Sequence, residues 1–222
     1  MNDHVKTIIT DSAQLEEWST EIDTRKESKL MQEIILALKA TMKEHDLVSL
    51  TAPQIGYNRR IFCIRFGQKD YRTFINPMIE NNVGMTLSRE RCSSIPEKEF
   101  ILPRFSKLKF YYTTPMGKIE AGTLAGKAAF VFQHCIEHLN GLLISDIGLE
   151  IDELFDQATE DEREEVLRMY MESLDIRQKE LNEMISKDEE LSEVNDAIKF
   201  ISSVKDGSTI LAKNTNIEGN KE

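Results

Sequence analysis

His134 and His138 stand four residues apart in "QHCIEHLNG" (133–141). On a helix, positions i and i+4 share a face, so both imidazoles can reach one metal ion. Two ligands leave such a site incomplete, and Cys92 in "SRERCSSIP" (88–96) is a candidate third. A cysteine with two histidines and one open position is a catalytic type of arrangement, in which the ion lowers the pKa of bound water toward neutrality. Zn2+ and Fe2+ both accept these donors.

In the H-E-x-x-H pattern of zinc hydrolases, the glutamate after the first histidine is the general base. Here that position holds Cys135. On a helical wheel with His134 at the origin, His138 falls at about 40° and Cys135 at about 100°, while Glu137 falls at about −60°, on the other flank. A thiol is shorter than a glutamate side chain and titrates at about 8.5, lower beside a metal. It cannot easily carry a proton to a leaving amine. Loss of a positioned acid/base costs about 10²–10⁴ in rate.

The elements that must position these residues are readable from periodicity. "KAAFVFQHCIEHLN" (127–140) is long, mostly apolar and free of Gly and Pro, with Gly141 following as a C-cap; it predicts a buried helix carrying both histidines. "ESKLMQEIILALKATMKEH" (27–45) places Met31, Ile34, Ile35, Leu38 and Met42 on one helical stripe. "RIFCIRF" (60–66), "YRTFINPMI" (71–79) and "KLKFYYTT" (107–114) predict strands, the last pairing as a hairpin with "KIEAGTL" (118–124). Cys63 reads as strand core, Trp18 and the scattered methionines as packing, and Glu90 beside Arg91 as an ordinary surface ion pair.

Of 222 residues, 40% are apolar and 30% charged, which suits one well-cored domain with an appendage. No apolar run is long enough to cross a membrane, and "MNDHVKTIITDSAQLEEW" has no apolar signal core, so a cytoplasmic protein is expected. Three cysteines are too few, and odd in number, for a disulfide scaffold. Net charge is −11, and residues 150–196 hold 18 acidic against 5 basic side chains. No basic stripe marks a nucleic-acid surface, so no direct nucleic-acid binding is expected. The composition divides the chain into a near-neutral body (1–150), an acidic extension (151–204) and a polar tail (205–222). In the extension, a helix near 160–186 carries a stripe of Val166, Tyr170, Leu174, Leu181 and Ile185, and a second helix is expected over 189–204.

In order along the chain, "LVSLTAPQIGYNRRIFCIRF", "INPMIE", "ERCSSIP", "LPRF" and "QHCIEHLNG" resemble the peptide deformylase family, whose motifs GxGLAAPQ, EGCLS and QHExDHLxG follow at similar spacing. The resemblance implies an α+β fold, mixed antiparallel sheets around a central metal-binding helix, here with a C-terminal helical extension. It implies a ferrous or zinc ion on Cys92, His134 and His138, and removal of the formyl group from the N-terminal formylmethionine of nascent polypeptides. The Gln54 side chain and the backbone N–H of Ser93 would stabilise the oxyanion.

Gln54, Glu90, Cys92, Arg104, Gln133, His134 and His138 match the family pattern. Cys135 replaces the catalytic glutamate and Glu137 an aspartate. Leu47 and Ser49 replace the two glycines of GxG, Thr51 an alanine, Arg91 the glycine of EGCLS and Ser93 its leucine. Lys127 falls where the family places an apolar residue of the methionine pocket. The catalytic candidates are therefore Gln54, Ser93 and Cys135; the substrate-binding candidates are Ser49, Glu90, Arg91, Arg104 and Lys127. Three functions stay open: a metallohydrolase that deformylates peptides with impaired or altered activity, a degenerate homologue that binds a peptide terminus or a protein, and an interaction module whose acidic helices meet a protein partner.

Overall fold

The computed structural model describes residues 4–187; the helix expected over 189–204 and the tail at 205–222 lie outside the described residues. The chain divides into two compact units, one ending at Gln157 and the next starting at Ala158.

The first unit opens with α1 (Ser12–Leu15) and α2 (Ser28–Glu44), then β1 (Ser49–Thr51) and a 3-10 turn (Pro53–Ile55). Strands β2 (Ile61–Arg65), β3 (Tyr71–Cys92), β4 (Ile95–Thr113) and β5 (Ile119–Ala125) lead into α3 (Lys127–Leu139). It closes with α4 (Ile144–Ile147), β6 (Leu149–Ile151) and α5 (Glu153–Gln157). The strands form one six-stranded sheet in the order β1-β2-β3-β4-β5, with β6 on β4. Every ladder is antiparallel.

The unbroken apolar run in β2 reflects burial on both faces. Ile61 and Cys63 face one core with Ile34, Leu38 and Met42 of α2. Phe62 and Ile64 face the other, with Ala129, Phe132 and Leu139 of α3. Alternation along a strand makes this split automatic. Phe132 sits over the sheet with its ring 5.1 Å from Phe62, 5.4 Å from Phe74 and 4.4 Å from Phe110. Burying an aromatic side chain this way stabilises by roughly 1.5–3 kcal/mol.

Strand β3 runs well past the predicted 71–79. Its second half, "ENNVGMTLSRER", is polar and lacks a β-prone signature, but pairs with β4 from Asn81↔Lys109 to Cys92↔Ile95. Gly84 stands in this ribbon at φ +67, where a Cβ would lie 2.4 Å from Ser106 Oγ; only glycine meets both conditions. Cys92 and Ile95 close the ribbon, leaving Ser93 and Ser94 as its two-residue turn.

Trp18 is not packed as expected: it is 64% exposed, with the Arg60 guanidinium 5.4 Å from its ring centroid. The methionines divide. Met31 and Met42 are buried, while Met78, Met85, Met116 and Met169 are exposed.

In the second unit, α6 (Glu160–Lys187) begins with a reciprocal cap: Thr159 N–H donates to Glu162 Oε2 at 2.8 Å, and Glu162 N–H donates back to Thr159 Oγ1 at 3.4 Å. Glu160, Asp161 and Glu162 in the first turn suit the positive end of the helix dipole. Of the predicted stripe, Val166 is 40% exposed and Tyr170 and Leu174 are partly covered; the side chains of Leu181 and Ile185 lie outside those described. No described helix is long and apolar enough to cross a membrane.

Candidate metal centre

Two elements bring the predicted ligands together. Helix α3 carries His134 and His138, with ring centroids 5.0 Å apart. The β3–β4 turn delivers Cys92, whose Sγ lies 3.2 Å from His138 Nε2. One ligand atom from each of the three falls within 4.8 Å of the others. A thiolate and two imidazoles are the donor set that Zn2+ and Fe2+ take. His134 Nδ1 lies 3.3 Å from Glu90 Oε2, leaving Nε2 as its ligand atom; such an outer carboxylate fixes the tautomer and raises basicity. His138 Nδ1 is buried without a hydrogen-bond partner among the described residues. The residues present fit the ion.

Charge around the triplet is organised by Arg104, which is buried. Its Nε and Nη2 donate to the two Glu90 oxygens at 2.8 and 2.9 Å. Nη2 also donates to Glu137 Oε2 at 2.9 Å, and Nη1 bonds Glu137 Oε1. Glu90 therefore does not pair with its sequence neighbour Arg91, which binds Glu99 instead. Burial opposes the charge of Glu90, but the bonds from Arg104 and His134 outweigh it and bring its pKa to about 2. Burial likewise opposes ionisation of Cys92, yet His134 and His138 bring the thiol down to about 5. For His134, burial disfavours the cation, but Cys92 and Glu90 outweigh that and raise it to about 9.

Gln133, the residue before the first histidine, holds α3 on the sheet. Strand β4 pairs with β6 at Glu99–Ile101 and with β5 from Lys107 onward, so Phe105 has no strand on that side. The Gln133 amide takes its place: Oε1 accepts from Phe105 N–H at 3.0 Å and Nε2 donates to Phe105 O at 3.0 Å.

A cleft of about 920 Å³ opens beside the triplet. Ser49, Gln54, Glu90, Arg91, Cys92, Ser93, Lys127 and His134 all line it, together with Leu47. Arg104 and His138 stand behind its wall, buried.

Cys135 is also behind the wall, at 0% exposure. It belongs to the same buried cluster as Phe62, Phe132 and Leu139. Burial pushes its thiol well above the usual range, with the nearby Ser49 only partly opposing. A neutral, enclosed thiol is a poor proton carrier.

Sequence reasoning missed two hydroxyls. Gln54 Oε1 accepts from Thr51 N–H at 3.0 Å and from Thr51 Oγ1 at 3.1 Å. Its Nε2 donates to Ser93 Oγ at 3.2 Å and Ser94 Oγ at 3.1 Å. Thr51 was visible as a departure from the family pattern, but its link to Gln54 is a fact of the 3-10 turn. Ser94 gave no signal beyond lying in the motif.

With this geometry in view, the likenesses to known proteins converge. Residues 5–151 match the family described as polypeptide deformylase. A peptide deformylase of Thermotoga petrophila is 33% identical over 116 residues, covering 52% of this chain and 71% of that protein. One from Dictyoglomus turgidum is 34% identical over 110 residues, covering 50% and 71%. The crystal structure of peptide deformylase from Thermotoga maritima superposes with a TM-score of 0.59 at 31% identity, covering 65% of this chain and 97% of that one. The actinonin-bound class I type b peptide deformylase from Acinetobacter baumannii gives 0.60 at 25% identity, covering 64% and 97%. The chain belongs to the polypeptide deformylase family, whose members depend on a metal ion and bind formylated peptides.

Proposed function

We propose that this chain holds one divalent ion, Fe2+ or Zn2+, on Cys92, His134 and His138, binds the formylated N-terminus of a peptide or nascent chain in the adjoining cleft, and hydrolyses it with impaired activity. When bound, the ion would supply Lewis-acid activation of water and of the carbonyl. The chain's own residues do the rest. Gln54 and the backbone N–H of Ser93 stand where a formyl oxygen gains charge. Glu90 and Arg104 position the histidine, and Ser49, Arg91 and Lys127 shape the cleft.

The observation that carries the impairment is Cys135, sealed in the aromatic core. The other carboxylates on hand are committed. Glu137 is clamped by Arg104, and Glu90 is shared between Arg104 and His134. No other described carboxylate replaces the missing acid/base in the ligand triplet's hydrogen-bonding shell. The same observation supports a second reading, a module that captures a peptide terminus or a protein without turning it over. The exposed Val166 and Met169 of α6 add a surface for a protein partner.

The test is a formyl-Met-peptide assay on anaerobically metallated protein, with metal content and peptide affinity measured in parallel. We expect one ion per chain, lost in Cys92→Ala and His138→Ala, measurable peptide affinity, and turnover at least about 10²-fold below a typical enzyme. Turnover of about 10 s⁻¹ would show that the missing glutamate is dispensable. Full metal occupancy in both variants would remove the ligand assignment.

A further inference from the structure

The two protons of the Gln54 amide are already spoken for. Thr51 N–H and Oγ1 both donate to Gln54 Oε1, which settles the orientation of the amide. Nε2 then faces the β3–β4 turn, where Ser93 Oγ, Ser94 Oγ and, at 3.8 Å, Cys92 Sγ share its two protons. An amide nitrogen has two protons. Gln54 can therefore serve a substrate oxygen only by breaking one of these bonds. A hydroxyl that accepts still owns its proton, and accepting a bond strengthens it as a donor. Ser94 is buried; Ser93 is partly exposed and lines the cleft.

We propose that the Ser93 hydroxyl is a substrate-binding donor, giving its proton to the formyl carbonyl oxygen at the end of a one-directional chain that runs from Thr51 through Gln54 to Ser93. This is separate from the backbone N–H of Ser93, and it rests on the cleft being a formyl-peptide site. The two hydroxyls that make the chain possible, on Thr51 and Ser93, stand where the family pattern has alanine and leucine. A side chain that withdraws the proton of Gln54 from the cleft thus returns a proton of its own.

The experiment uses the metallated full chain and a formyl-Met peptide carrying a 13C label in the formyl group. Affinity is read by calorimetry and the labelled carbonyl stretch by infrared difference spectroscopy. Ser93→Ala should weaken binding about tenfold, the size of one good hydrogen bond, and move the stretch to higher wavenumber. Ser93→Thr, which keeps the hydroxyl, should retain both. Thr51→Val should weaken binding about two- to fivefold, and should add nothing in the Ser93→Ala background, because the two act in one chain. An unmoved stretch in Ser93→Ala overturns this inference alone, whatever the affinity does. A wild-type chain that holds its metal and binds no formyl peptide overturns the reading of the cleft and this inference with it.

Discussion

The two flanks of α3 meet the site on different terms. On one flank, His134 leans on Glu90, Glu90 on Arg104 and Arg104 on Glu137, a ladder of half-buried groups around one buried arginine, with every member paired. On the other flank, Cys135 meets Phe62, Phe132 and Leu139. The first flank holds a candidate ligand, His134, in place; the second belongs to the core. The histidine that lines the cleft and the position that an H-E-x-x-H helix gives to its acid/base are here separated, one at the cleft and one in the core. Ser49 belongs to that separation. It stands on β1 and lines the cleft, near enough to the Cys135 thiol to oppose the effect of burial on it, at a position where the family pattern has glycine; we expect it to compete for space with a longer side chain at 135.

The largest effect should come from reversing the core-like flank. Cys135→Glu alone should be destabilised, since an uncompensated carboxylate among aromatic rings is costly. It should gain little turnover. Ser49→Gly with Cys135→Glu should raise turnover by about 10²–10⁴, measured under single-turnover conditions at matched metal content. A single variant as active as the double would show that Ser49 is no obstruction.

Breaking the charged flank comes next. Arg104→Met leaves Glu90 and Glu137 facing each other without their cation, and should cost about 3–5 kcal/mol in urea unfolding. A cost below about 1 kcal/mol, the scale of an exposed ion pair, would mean that water already reaches the ladder. Glu137→Gln keeps the Arg104–Glu90 pair and removes only one charged partner. It should cost less, about 1.5–3 kcal/mol. A larger loss than in Arg104→Met would move the centre of the ladder from the arginine to Glu137. Smallest of all, Trp18→Ala should stay within about 0.5 kcal/mol of wild type, because the ring is exposed and touches neither flank. A larger change would give its contact with Arg60 more weight than its exposure allows.

The histidine pair of the candidate ligand triplet was legible because its spacing is a property of helices. The i, i+4 pair predicts a shared face, and α3 places both imidazoles there. Helices α2 and α3, β2 and the β4–β5 hairpin were legible for the same reason, their apolar period. The outer half of β3 was not. It is an exposed ribbon whose strands are held by each other, so no buried face writes a pattern into "ENNVGMTLSRER". The partner of Glu90 was misread for a geometric reason: adjacent residues on a strand point to opposite faces, which parts Glu90 from Arg91. The wheel placed Cys135 beside the ligands, but a wheel gives only a direction. What fills that direction is set by β2 and β3, tens of residues away.

Gln133 has a consequence for how accurately the centre can be built. Rings packed against a sheet tell a helix how deep to lie, but apolar contact is nearly indifferent to a slide along the groove. An amide that closes two bonds on one peptide unit is not. By grasping Phe105 at both N–H and C=O, Gln133 works like the zero mark of a ruler laid on β4, one residue before the first histidine. Every later position on α3 is counted from that mark. The spacing between the helix and the Cys92 turn is thus set by a latch on an edge of β4 that no strand occupies.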